Sequence, residues 1–136
     1  MIEGILTPTE KYEAIVRKAI DAMNKQDLTI IDEVFAKNYI DHTNGFNSRE
    51  MIKQFYTAAF TDFPDFHRTI EDMVVKGNKV WARFNITATV KGQKIEMPAI
   101  TIMRIVKGRI TEAWGGPIQR QAIPKAKGEL IQKIQR

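Results

Sequence analysis

From Val80 to Val90 the chain alternates without a break, with Val80, Ala82, Phe84, Ile86, Ala88 and Val90 set against Trp81, Arg83, Asn85, Thr87 and Thr89. A period of two places the two sets on opposite faces of a strand. Lys76-Gly77-Asn78, Lys91-Gly92 and Lys107-Gly108 are turn signals on either side of this strand and after the next. They predict an antiparallel meander of about four strands, at roughly 66–75, 79–90, 94–106 and 109–115. The face carrying Trp81, Arg83 and Asn85 is too polar for a dry core and too aromatic for water. It is therefore expected either to line a polar cavity or to meet another subunit.

Upstream of residue 66 the period is helical. Thr7-Pro8-Thr9-Glu10 reads as a capping box with proline at the first helical position, and Ile15, Ala19, Ile20 and Met23 then form one buried stripe ending near Asn24. Asp27 can cap a second, shorter helix through Phe35, and Ser48 a third through Ile52, Phe55, Tyr56, Ala59 and Phe60. Phe63-Pro64 stops the third, because the residue before a proline is driven out of the helical region. Helices first and sheet second predict an α+β domain with three helices over one face of the sheet. Pro98 lacks the N–H a ladder needs, so a bulge or sharp bend is expected there, curling the sheet into a cone with a ligand cavity.

The register of the last hairpin decides which residues share a face. Lysine is a poor first residue for a two-residue type I′ turn, so Lys107-Gly108 is expected to form a bulged turn that needs positive φ only at the glycine. Arg104 then shares a face with Ile110, Glu112 and Trp114 and can pair with Glu112.

Hydrophobic residues make up 43% of the 136-residue chain, enough for one core of ordinary size. The expected organisation is a single domain over residues 1–120 and a basic tail over 121–136. Nearly all of the net charge of +5 lies in the tail region, where Arg120, Lys125, Lys127, Lys133 and Arg136 face only Glu129. A nearly neutral body with a basic end is not a folded basic groove, which argues against nucleic-acid binding. Leu130, Ile131 and Ile134 form a short amphipathic stretch in the tail, and deletion beyond Arg120 is expected to cost little stability. The absence of cysteine removes disulfides and thiolate chemistry. The N-terminus has no signal-peptide pattern and no segment is long and apolar enough to span a bilayer, so a soluble, cytoplasmic protein is expected.

The order of motifs carries a resemblance: a capped helix, Tyr39 to His42 after the second helix, Phe63-Pro64-Asp65 after the third, Val80-x-x-Arg83, and Arg104 to Trp114 as R-x-x-x-G-R-I-x-E-x-W. Over roughly residues 9–118 the chain resembles the SnoaL-type polyketide cyclases of the nuclear-transport-factor-2-like superfamily, which includes ketosteroid isomerase and limonene epoxide hydrolase. The resemblance implies an α+β cone with a ligand cavity, frequently a homodimer, with no metal or organic cofactor. It also implies an acidic residue just beyond the tryptophan in catalytic members. Here Gly115, Gly116, Pro117 and Ile118 follow Trp114. The Arg-x-Asp of the epoxide hydrolase is met only as Arg83-x-Asn85, and Ile86 to Val90 holds no counterpart of the cyclases' histidine.

His42 and Asp41 are the remaining acid–base candidates, since an imidazole near neutral pKa can abstract a proton α to a carbonyl. Their bland reading is a loop histidine beside a turn-capping aspartate. Tyr39, Tyr56, Trp81, Arg83, Asn85 and Trp114 are the candidate substrate-binding residues, with Arg83 also, and preferably, readable as a structural partner of Glu112 or another cavity carboxylate. Asp65 is expected to satisfy backbone N–H groups after the third helix. Two functions fit this set: cofactor-independent cyclase, isomerase or hydrolase chemistry on a small apolar or polyketide-like carbonyl compound, and non-catalytic binding of such a ligand. An interaction module using the basic tail is the third. A homodimer through the sheet is expected, because three short helices cannot cover both of its faces.

Overall fold

The computed structural model describes residues 5–118. The expected tail and its amphipathic stretch therefore lie outside the described residues. Helix α1 (Pro8–Asn24) is capped by Thr7, whose hydroxyl accepts the Glu10 N–H at 3.1 Å, and it buries Val16, Ala19, Ile20 and Met23. After Asp27 a 3-10 turn (Leu28–Ile30) leads into the four-residue helix α2 (Ile31–Val34). The chain leaves the helix one residue earlier than expected. Phe35 is extended and opens strand β1 (Phe35–Asp41), which the sequence reading left out. Helix α3 (Arg49–Asp62) is capped by Ser48 and buries Ile52, Tyr56, Ala59 and Phe60.

Strands β2 (His67–Lys76), β3 (Lys79–Val90), β4 (Gln93–Val106) and β5 (Arg109–Pro117) form the meander. The sheet order is β1-β5-β4-β3-β2, with β1 parallel to β5. The result is the expected α+β fold with a curved sheet of five strands, mixed rather than purely antiparallel and not closed. The set Val80, Ala82, Phe84, Ile86, Ala88 and Val90 lies under the helices, each residue no more than 4% exposed. Full burial of an aliphatic or aromatic side chain contributes about 1.5–3 kcal/mol, so this face anchors the core.

Two expectations about the strands are corrected. Lys107 (φ 52°) and Gly108 (φ 77°) both adopt positive φ, so the turn is the tight two-residue kind despite its lysine. The bulge lies inside the ladder instead: Ile105 pairs with Ile110 and Arg104 with Glu112, leaving Thr111 as the extra residue. Arg104 reaches Glu112 as expected, by a different device. Pro98 produces no shift in the β3–β4 register, where it lies opposite Asn85. Its carbonyl accepts the Ile118 N–H at 2.9 Å on the β5 side, where β5 runs out. A strand residue's nitrogen and carbonyl point the same way, so the missing N–H costs the β3–β4 ladder nothing.

Candidate functional site

The helices, β1 and the inner face of the sheet enclose a pocket between Ile20 and Met23 of α1, Phe55 and Tyr56 of α3, and Phe84, Ile86 and Met103 of the sheet. Six polar side chains line it: Tyr39, Asp41, Asn44, Tyr56, Arg68 and Thr101. The end of β1 supplies the first two. Phe35, Tyr39 and Asp41 point inward and are buried, while Ile40 between them is 41% exposed. Strand alternation thus sends Asp41 into the pocket and His42 away from it.

Asp41 organises the loop that follows. Its Oδ1 accepts the N–H groups of Thr43 (3.1 Å) and Asn44 (2.9 Å), and its Oδ2 accepts the Asn44 side-chain amide (2.9 Å). The Tyr39 hydroxyl donates to Oδ2 at a longer 3.5 Å. Thr43 in turn fastens the loop to β5 by accepting the Gly115 N–H at 2.7 Å. Burial first, and the Asp41 charge second, raise the Tyr39 phenol well above its ordinary pKa, so it stays a protonated donor. Asn44 Oδ1 is buried without a partner.

Arg68 escaped the sequence reading. On β2 it pairs with Ile86 and shares the inner face with Ile70, which pairs with Phe84. Its Nη1 donates to the Tyr56 hydroxyl at 2.8 Å and its guanidinium lies 4.3 Å from the centre of the Phe84 ring. The signal was present: Phe66, Arg68 and Ile70 alternate, so an arginine was due on the apolar face.

The structure separates the remaining candidates from the pocket. Trp81, Arg83, Asn85 and Trp114 lie on the outer face, because the wholly apolar set of β3 took the helix-covered side. Arg83 pairs with Asp72 (3.2 and 3.1 Å) rather than with Glu112, and both partners are more than half exposed. His42 stacks on Trp114 at 4.9 Å and its Nε2 lies 2.8 Å from Glu112 Oε2. Arg104 Nε holds the other Glu112 oxygen at 2.9 Å. The hydrogen bond with His42 and the charge of Arg104 hold the Glu112 carboxyl below its ordinary pKa. His42 thus lies in this outer cluster and is not among the residues that line the pocket. Asp65 accepts the N–H (2.9 Å) and hydroxyl (2.6 Å) of Thr89, tying the end of α3 to β3. Among the described residues no group of three or more His, Cys, Asp or Glu side chains could hold a metal ion, and no helix is long and apolar enough to cross a membrane.

Residues 13–119 match the family of SnoaL-like polyketide cyclases. No match was found among curated proteins. Among solved structures the chain is similar to a proposed polyketide cyclase from Bacillus cereus ATCC 10987, at 28% identity and a TM-score of 0.73 over 81% of this chain and 77% of that one. IdmH of Streptomyces antibioticus, a proposed polyketide cyclase, is 23% identical with a TM-score of 0.70 over 76% of this chain and 89% of its own. AclR of Streptomyces galilaeus, described as a proposed hydroxylase, shares the fold at 22% identity and a TM-score of 0.70, covering 91% of both chains.

Proposed function

Because the chain belongs to the SnoaL-like polyketide cyclase family, we propose that it performs cofactor-independent acid–base chemistry, of cyclase or isomerase type, on a small polyketide-like carbonyl compound held in the pocket. The observation that supports this reading is a buried carboxylate, Asp41, beside a phenol kept protonated, Tyr39, in surroundings otherwise largely apolar. In this reading Asp41 takes the proton α to the carbonyl and Tyr39 donates a hydrogen bond to the oxygen that gains charge. Replacing Tyr39 by phenylalanine keeps the ring and its packing. It is expected to lower the turnover number on an accepted substrate about 10²–10³-fold with little change in binding, as loss of an oxyanion donor does. Steady-state kinetics with a parallel binding titration read this.

One observation favours a second reading, in which the pocket binds without turnover. Three N–H groups already occupy the Asp41 oxygens, leaving few lone pairs for a substrate proton. A ligand that binds and is recovered unchanged would select it.

We also propose that a second copy of the chain covers the outer face. Val74, Trp81, Ile102 and Trp114 are register neighbours in one row across β2 to β5, with Val74 63% exposed and Ile100, nearby on the same face, 42% exposed. Such a row in water is a large apolar patch for a monomer. Sedimentation at micromolar concentration should return a dimer, and Ile102→Glu a monomer.

A further inference from the structure

The proposed pocket contains Arg68, which no carboxylate among the described residues meets at ion-pair distance, although Asp41 lines another part of the same wall. We infer that the compound it takes carries an anionic oxygen group, a carboxylate at one end of an apolar body, and that Arg68 is its receptor. The inference rests on the small-molecule reading above and narrows it to acids.

Arg68 is held from both ends. Asn24, the last residue of α1, accepts the Arg68 N–H at 2.9 Å and donates its side-chain amide to the Arg68 carbonyl at 2.8 Å. Tyr56 and the face of Phe84 fix the guanidinium. Its Nε is buried and makes no well-aligned hydrogen bond, as is true of the Nε atoms of Arg49 and Arg104, but those two lie against carboxylate oxygens. Arg49, Arg83 and Arg104 each meet a carboxylate, at 3.2 Å (Asp32), 3.1 Å (Asp72) and 2.9 Å (Glu112). Among the described residues none lies within ion-pair distance of Arg68. Arg68 is half-buried, and a guanidinium stays charged, so even its partial withdrawal from water without a counter-ion at contact distance has a cost. A neutral phenol and an aromatic face offset only part of that cost.

A carboxylate fits what is missing, because the planar fork of Arg accepts it through two parallel hydrogen bonds and Nε is one of the usual donors. The same charge orients the ligand. Asp41 repels an anionic end, so the acid lies at Arg68 and the carbonyl to be polarised falls toward Tyr39. The body of the compound then lies against Ile20, Met23 and Ile86.

Two probes of one shape test this on the full chain: 2-naphthoate and the neutral 2-naphthamide, titrated calorimetrically at pH 7. The expected result is naphthoate binding tighter by about tenfold or more, the scale of a charge-assisted hydrogen bond. Arg68→Met should abolish the preference while leaving the affinity for the amide, and Arg68→Lys should keep part of it. The wild-type comparison stands even if Arg68→Met does not fold. Equal binding of the two probes, or a preference that survives in Arg68→Met, overturns the anion receptor while leaving the small-molecule pocket in place. Binding of neither overturns both.

Discussion

Replacing Gly115 by alanine is expected to destabilise the domain by about 3 kcal/mol or more, a large share of the ~5–15 kcal/mol that keeps a domain of this size folded. Two causes act together. Gly115 has φ +102°, a conformation that side-chain-bearing residues rarely adopt, and a Cβ there would run into the carbonyl oxygen of Ile100 while lying 3.3 Å from Thr101 Cα. Both obstacles are backbone of the adjacent strand and cannot rotate away. Gly92→Ala is the control. Its φ is +76°, nothing lies within 4 Å of the added carbon, and its cost should stay near 1 kcal/mol. Urea midpoints of the two variants measure the difference, and equal midpoints would remove the close-approach argument. At Gly115, directly after Trp114, this backbone has no room for a side chain, whereas at Gly116 an added carbon would meet nothing within 4 Å.

Asp41→Ala is expected to cost about 2–4 kcal/mol, because it strands the N–H groups of Thr43 and Asn44 in a part-buried loop. Asp41→Asn keeps one accepting oxygen of the same shape and should recover most of that loss. The pair of variants separates structure from chemistry. If Asn restores the melting temperature but turnover remains down by about 10²–10⁴, the carboxylate is the proton-transfer group. If turnover returns with stability, Asp41 is only the anchor of its loop.

Much of the frame was legible because each element carries its own local signal. Thr7 and Ser48 mark the starts of α1 and α3, and the alternation from Val80 to Val90 marks β3 and both of its faces. What misled was the use assigned to those faces. Trp81, Arg83 and Asn85 look like a binding wall, yet helices cover whichever face buries more apolar area, and here that is the Phe84 side. β1 was illegible for another reason. It is a parallel edge strand whose partner lies far along the chain, with no hairpin turn to announce it. Missing β1 left the alternation of Asp41 and His42 unread, and with it which of the two enters the pocket. The inward arginine was the opposite case: the period was plain, and its charge caused it to be passed over.

The pairing of β1 with β5 also sets an order of assembly. The β2–β5 hairpins join residues near in sequence and can zip from their turns, whereas Phe35↔Ile110 and Asp41↔Ala113 must each close a loop of roughly two thirds of the described chain. The contacts that shape the pocket are therefore the slow ones, made after the meander exists. In stopped-flow experiments, shortening Ile95 in the β3–β4 hairpin should chiefly slow folding, while Asp41→Ala should chiefly speed unfolding. A chain ordered in this way can keep a folded meander while its binding wall opens and closes.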